Sequence, residues 1–384
     1  MKKVLALLLA VSMLLASAGC GKKDMTKGLT YDGENFWVNE DPKYSGVIEC
    51  AQRLCLDYDT PMNVMIATDK EVIFAAGMLT YEIDSELRVN PYTVYEIGSM
   101  TKTFTAVAIM QLIEQGKLTM DDTLDRFWPG YEDAEDITVS DLLHMTSGLA
   151  DYQTGFMYGD YSEANCSFYY HDGNITDEEA VDAILSYGHI VPPGMMYQYC
   201  NTNYYLLGLI IEQLTGETYQ QYINDHIFKP CGMEHSSSCT HRDLTCAPVL
   251  TDRQWREAEN YTDEGFMDCV VFCRGCGDIH SCTADLVAFD RALMGGKLVS
   301  EESLALMTDF DNPGEYGCGL YAGNGYLGHS GGTMSYNSMN GIIDTSGFGR
   351  VYVICLEPTI PTDHDLVAPC YVDDLAAEAF GVTG

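Results

Sequence analysis

The chain runs to 384 residues, with 57 acidic against 20 basic side chains and a formal net charge of −37 at pH 7. A surface this acidic repels phosphate backbones and gains no pull toward anionic lipid, which excludes nucleic acid as a partner and membrane attachment by charge. The length suits one large domain or two interleaved ones, with no repeat of fixed period and no later stretch apolar enough to span a bilayer.

Lys2 and Lys3 precede an apolar run over 4–15, and small residues then lead to Cys20. That is the pattern of an export signal, too short to persist as a membrane span. Ser17-Ala18-Gly19-Cys20 resembles a bacterial lipobox, although Ser17 replaces the usual Leu. Residues 1–20 are therefore expected to be a lipoprotein signal. Cys20 is the expected lipidation site and the cell surface the destination, with plain secretion as the alternative. The polar stretch 21–45 reads as a tether, leaving 46–384 as the folded domain.

In that domain Val47, Ile48, Ala51, Leu54 and Cys55 recur at helical spacing. Residues 62–67 and 71–76 are β-rich runs around Thr68-Asp69-Lys70, a hairpin-like pair. A long apolar helix is predicted over 99–115, stopped by Gly116. Helical patterns follow at 140–145 with Ser140 as its cap, at 203–214 ending near Gly216, and at 285–293. The pattern then turns to strands at 317–322, 338–344 and 351–357, and a helix over 373–379 closes the chain. Strands at both ends of a helical middle predict an α/β part made of 46–115 and 270–384, with a helical part, 116–269, inserted. A cleft between the two is the natural place for a site.

The sequence holds 15 cysteines. Setting Cys20 aside leaves an even number, which permits disulfides in an exported protein. Cys50/Cys55 and Cys269, Cys273, Cys276 are the closest sets. The latter run, with His280 nearby, is weakly metal-like but lacks a clear fourth ligand, so no metal and no cofactor are expected. Cys355, inside an apolar run, reads as a small buried residue.

Three pieces carry chemistry. In Glu96-Ile97-Gly98-Ser99-Met100-Thr101-Lys102, Ser99 and Lys102 share one face at a helix start. A serine hydroxyl needs a base beside it, and a lysine serves if its pKa is lowered. In Tyr199-Cys200-Asn201, Tyr199 is placed to relay the proton and Asn201 to hold a substrate amide and Lys102. In Gly328-His329-Ser330-Gly331-Gly332, the glycines let a strand approach a ligand, with the Gly332 N–H facing that of Ser99 as an oxyanion hole. These five residues also fit G-x-S-x-G, but no buried helix follows Ser330, which makes it a decoy nucleophile. Alone, each piece also fits an ordinary helix cap, packed aromatic or surface lysine.

Together, in this order, they resemble the serine β-lactamase-like superfamily, on the branch of class C β-lactamases, D-alanyl-D-alanine carboxypeptidases, D-aminopeptidases and esterases. Leu142-Leu143-His144-Met145-Thr146-Ser147-Gly148-Leu149 and Ser281-Cys282-Thr283-Ala284-Asp285-Leu286 extend the match, which runs from about residue 45 to the C-terminus. The resemblance implies a β-lactamase/transpeptidase-like fold, an antiparallel sheet flanked by helices with an inserted helical domain. It implies Ser99 as the acylated residue, Lys102 and Tyr199 sharing acid–base work, and Asn201, His329, Ser330 and Gly331 binding substrate. The N–H groups of Ser99 and Gly332 would hold the oxyanion. His329 stands where classical β-lactamases carry Lys, so recognition of a substrate carboxylate should be weaker or pH-dependent. Cys200 and Cys282 replace smaller residues and are expected to pack. The aromatic insertion Tyr152, Phe156, Tyr158, Tyr161, Phe168, Tyr169, Tyr170 reads as satellite packing or as a wall over the cleft. The expected function is an exported serine hydrolase acting on an amide or ester carbonyl, in a D-amino-acid peptide or small ester, through an acyl-serine. A class C-like β-lactamase is the alternative among enzymes, and a non-catalytic, penicillin-binding-like lipoprotein holding cell-wall peptide the alternative of another class. Partners are then a small-molecule or peptide substrate and, through the lipid anchor only, the membrane.

Overall fold

The computed structural model describes residues 24–78, 89–131, 133–151, 176–186, 189–238, 273–333, 336–358 and 367–382. The export leader with Cys20, the aromatic insertion from Tyr152 to Tyr170, and Cys269 lie outside the described residues.

Apolar runs of period two set the main sheet. In chain order its strands are β1 (Thr30–Tyr31), β2 (Phe36–Val38), β3 (Met62–Thr68) and β4 (Val72–Met78). A small second sheet takes β5 (Tyr95–Glu96), β6 (Ser237–Ser238) and β7 (Ile279–Ser281). The main sheet then resumes with β8 (Tyr321–Gly323), β9 (Tyr326–Gly332), β10 (Tyr336–Thr345) and β11 (Gly349–Pro358). Its eight strands lie in the order β1-β2-β4-β3-β11-β10-β9-β8, every pair antiparallel. The β3–β11 pairing joins the two ends of the chain in one sheet, as the strand pattern predicts.

All seven residues of β3 and all seven of β4 are buried, because both faces are covered. Alternation divides them between two cores. Val64 and Ile66 pack with helix α1 (Ser45–Tyr58) and the last helix, while Met65 and Ala67 face the helical side of the molecule. The helices of that side are α2 (Thr101–Glu114), α3 (Val139–Leu143), α4 (Asp177–Ser186), α5 (Asn201–Thr215), α6 (Tyr219–Ile223), α7 (Thr283–Met294) and α8 (Glu301–Met307); α9 (Val367–Phe380) closes the chain against α1. The Tyr371 hydroxyl donates to the Ala51 carbonyl at 3.2 Å and ties α9 to α1.

Three expectations change. Residues 30–38 are not tether. Phe36 is buried against Phe74 at 5.6 Å between centroids, and β2 pairs with β4. The polar average of 21–45 hides a short Phe-Trp-Val run whose burial contributes about 1.5–3 kcal/mol per large side chain. The cap of α3 is Thr138, not Ser140. Thr138 Oγ1 accepts from the Asp141 N–H and Asp141 answers the Thr138 N–H, a reciprocal box. The strand expected at 317–322 is reduced to β8, because Gly319 adopts φ +69° to pass the Lys102 carbonyl. Cys50 and Cys55 are not joined, and both thiols are free.

Asn340 of β10 links the sheet to α7. Its amide donates to both carboxyl oxygens of buried Asp290 at 3.1 and 3.2 Å, and its Oδ1 accepts from the His329 N–H at 2.8 Å. Burial pushes the Asp290 carboxyl up to about 7. The folded protein thus keeps this proton to higher pH than the unfolded chain, so stability falls as pH rises from about 4 to about 7 and levels off above. Asp290→Asn, which resembles the protonated acid, should melt a few degrees higher than wild type at pH 8, with the gap closing toward pH 4. Thermal melts of both proteins across that range check it, and a gap independent of pH would refute it.

Candidate active site

The nucleophile turn starts with a glycine for a steric reason. Gly98 has φ +50°, and a Cβ there would lie 2.8 Å from the Gly332 carbonyl oxygen and 2.9 Å from the Gly332 nitrogen. A Cβ on Gly331 would lie 2.0 Å from the Ile97 carbonyl oxygen. These glycines let β9 lie against the turn, and Ser338 Oγ donates to the Ile97 carbonyl at 2.8 Å from the next strand. A single 3-10 turn, Gly98–Met100, then feeds directly into α2. Gly98, the residue before Ser99, thereby lies directly against the Gly332 backbone.

Lys102 is fully buried. Its Nζ donates to Ser99 Oγ at 2.9 Å, Asn201 Oδ1 at 2.8 Å and the Cys276 carbonyl at 2.8 Å, and it lies 4.9 Å from the centre of the Tyr199 ring. Those three acceptors match the three N–H bonds of an ammonium. Burial acts most strongly and pushes Lys102 down, but the charge and hydrogen bond of Tyr199, with smaller contributions from Cys276 and Asp151, hold it above its ordinary value. The lowered pKa that a lysine base requires is not what these surroundings favour.

Asn201 begins α5, and its amide is aimed by Asp151, to which it donates from both its backbone N at 3.0 Å and its Nδ2 at 3.2 Å. With Nδ2 so engaged, Oδ1 faces Lys102. Asp151 sits just past the Leu142–Leu149 motif, and no spacing rule singles it out. That motif packs as framework: Ser147 Oγ donates to Asn203 Oδ1 at 2.5 Å and Thr146 Oγ1 to Asp141 Oδ1 at 2.8 Å. The Cys276 carbonyl is held by a loop that Asp278 closes, accepting from the Gly275 N–H at 3.0 Å and from Ser238 Oγ at 2.6 Å.

Of the two expectations for His329, weaker or pH-dependent recognition of a carboxylate, its surroundings favour the first. Its ring is buried, Nδ1–H donates to the Ser330 carbonyl at 2.5 Å, and Nε2 accepts from the Tyr316 hydroxyl at 3.0 Å. Burial first, then the Lys102 charge, push it down to about 3, so it is neutral at working pH. Both ring nitrogens are occupied within the protein, so the ring presents no cation to a carboxylate. Ser330 is half-buried on β9, and the chain continues into antiparallel β10 and not into a helix, which removes the nucleophile-elbow reading. Cys200 is a buried free thiol whose S–H donates to the Leu149 carbonyl, a packing role as expected.

The profile of the Beta-lactamase family matches residues 60–365. The chain belongs to that family, within the serine β-lactamase/transpeptidase-like superfamily. It is 29% identical over 278 residues to PbpX of Bacillus subtilis (strain 168), whose name assigns it provisionally to the penicillin-binding proteins, covering 72% of this chain and 66% of that one. It is 31% identical to protein flp of Staphylococcus aureus (strain MW2) over 46% of this chain and 34% of that one. The chain thus spans two thirds or less of the length of these relatives. Among solved structures, the D-amino acid amidase of Ochrobactrum anthropi SV3, complexed with D-phenylalanine, superposes with a TM-score of 0.69 at 21% identity, covering 88% of this chain and 99% of that one. The octameric penicillin-binding protein homologue from Pyrococcus abyssi gives 0.63 at 26% identity, over 86% and 76%. This β-lactamase-related chain has the expected antiparallel sheet with helices inserted between its two halves.

Gly331→Ala tests the contact between β9 and the nucleophile turn. Its Cβ must push β9 away from Ile97, so acylation by a fluorophosphonate should slow about 100-fold or more, the loss typical of a missing oxyanion donor, while the protein stays folded. Stopped-time labelling with circular dichroism reads both, and an unchanged labelling rate would refute the placement.

Proposed function

We propose that Ser99 attacks an amide or ester carbonyl and forms an acyl-serine that water then hydrolyses. In its base-competent form the Tyr199–Lys102 pair has released one proton to solvent; it then takes the Ser99 proton, the Ser99 and Gly332 N–H groups receive the oxyanion, and the pair returns that proton to the leaving amine or alcohol. Asn201 orients substrate and Lys102 together. The observation that carries this reading is the buried Lys102 ammonium, bonded at once to Ser99 and Asn201 and set against Tyr199.

The substrate proposed is a D-amino-acid amide, peptide or small ester whose recognition does not depend on a free carboxylate. The neutral, engaged His329 supports this, because a β-lactam or D-alanyl terminus offers a carboxylate that this ring has no charge to meet. An apolar substrate side chain has the partly buried Tyr197 and Tyr321 beside His329 to meet it, their rings backed by buried Tyr316. The D-amino acid amidase among the structural relatives points the same way. We place the enzyme outside the cell, tethered by a lipid on Cys20.

Turnover of D-phenylalanine amide, p-nitrophenyl esters, a D-alanyl dipeptide and a chromogenic cephalosporin should be measured for wild type, Ser99→Ala and Ser330→Ala. Amide and ester hydrolysis is expected in wild type and Ser330→Ala and lost by at least ~1,000-fold in Ser99→Ala, with the cephalosporin poorest. Turnover surviving in Ser99→Ala would overturn the assignment of the nucleophile. With an uncharged ester, the rate–pH profile should show no limb that moves when His329 is changed to Gln, since the ring is already neutral; a shift near pH 6–7 would contradict that state.

A further inference from the structure

A second cluster lies behind the small sheet that leads into the nucleophile turn. His235 stands just before β6, Cys282 caps α7, and Asp285 lies in the first turn of that helix. We propose that His235, Cys282 and Asp285 bind one zinc-class divalent cation through an imidazole, a thiolate and a carboxylate. Their ligand atoms lie within 4.8 Å of one another. His235 Nδ1 is closed off from solvent yet has no hydrogen-bond partner, an orphan that a metal would satisfy. It stands 3.6 Å from Asp285 Oδ1, beyond hydrogen-bond reach. Two ligands about 2.1 Å from a tetrahedral centre are separated by about 3.4 Å, so that gap needs little adjustment.

The carboxylate is already fixed. Its Oδ2 accepts from the His235 N–H at 2.7 Å and from Ser236 Oγ at 2.8 Å, and Ser236 is itself bonded to Ser281 Oγ at 2.8 Å, which leaves Oδ1 turned to the imidazole. Cys282 carries a free, fully buried thiol at the N-cap of α7; burial and the Asp285 carboxylate push that thiol up, so it gives up its proton only in exchange for a cation. On binding, the metal replaces the thiol proton, which leaves to solvent, and the thiolate and carboxylate together neutralise the dication. A nitrogen, sulfur and oxygen set suits zinc or cobalt and not magnesium or calcium. Half-exposed His235 gives the ion an entry path, and three protein ligands leave a fourth position for water. The site would clamp the segment before β6 to α7; β6 pairs with β7, and β7 with β5, which ends three residues before Ser99. It is separate from the Cys269, Cys273, Cys276 run singled out by spacing.

The test is titration of the chelator-treated, reduced full chain with zinc against a chromogenic competitor, and with cobalt followed by absorption. Wild type, His235→Ala, Cys282→Ala and, as a control, Cys273→Ser are compared, each first shown to be folded by its melt in chelator. Wild type is expected to take up one equivalent that raises its melting temperature. His235→Ala should lose that equivalent or weaken it at least ~10-fold, the low end of the loss seen even when a ligand's supporting partner is removed. Cys282→Ala should lose the thiolate-to-cobalt band as well, and Cys273→Ser should keep both. Should Cys282→Ala fail to fold, the half-exposed His235→Ala decides. No bound equivalent in wild type, or one retained in His235→Ala, or one lost only in Cys273→Ser, would overturn the proposal.

Discussion

One buried ammonium constrains most of this site. Lys102 is closed off from bulk solvent, and a buried charge is tolerable only when its hydrogen bonds are met inside the protein. Its three acceptors come from three separate parts of the chain: the turn at Ser99, the start of α5 at Asn201, and the loop at Cys276. Each must dock to within hydrogen-bond distance of one atom, so a single side chain fixes the mutual placement of α2, α5 and the 273–278 loop. Removing one partner of a buried charge costs about 3–5 kcal/mol, which makes the catalytic arrangement and the packing of the helical side hard to alter separately. Helix α2 reflects this. It is buried on nearly every side, from Thr101 to Met110, and its side chains are chosen for fit and not for an exposed face.

The second constraint is close backbone approach. Gly98, Gly331 and Gly319 are positions where a methyl group would meet a carbonyl oxygen, of Gly332, Ile97 and Lys102 respectively. Glycine at these points lets a strand edge and two turns converge on the nucleophile. Behind them, Asn340 carries the load from Asp290 on α7 to the His329 N–H on β9. β9 is thereby tied at His329 to a hydrogen-bond chain that begins on α7.

The parts of the fold legible in the sequence are those where local pattern and local chemistry coincide. The α1 stripe, the β3–β4 hairpin and the ends of α2 and α5 at Gly116 and Gly216 are such cases, and both glycines adopt positive φ. Ser99, Lys102, Tyr199 and Asn201, which the structure brings together around the Lys102 amine, are legible because each falls within a short motif of fixed spacing. Asp151, the Cys276 carbonyl and Asp278 are not. A carboxylate that aims an amide, or a main-chain oxygen that receives a lysine, can be supplied by almost any loop of the right shape, so no residue pattern announces it. The misread tether has a different cause: three apolar residues suffice to extend a sheet edge, but they vanish in the average of a polar stretch. His235, Cys282 and Asp285 are 47 and 3 residues apart in turn, and only the β6–β7 pairing brings them together.

His329 and Lys102 have to be understood as a pair. The Lys102 charge is one of the two forces that keep His329 neutral, the other being burial. A site with one cation already buried at its centre resists a second one nearby, because each disfavours the charged form of the other. A lysine at 329 would carry its charge on a longer, more flexible stem and would need a substrate carboxylate or a path to water to offset that repulsion. Histidine relieves the conflict by giving up its proton and turning both nitrogens inward, to Tyr316 and to the Ser330 carbonyl. A neutral ring at 329 therefore leaves Lys102 as the positive charge beside Ser99, so that under the proposed mechanism the field at the Ser99 oxygen does not depend on whether the substrate itself is charged.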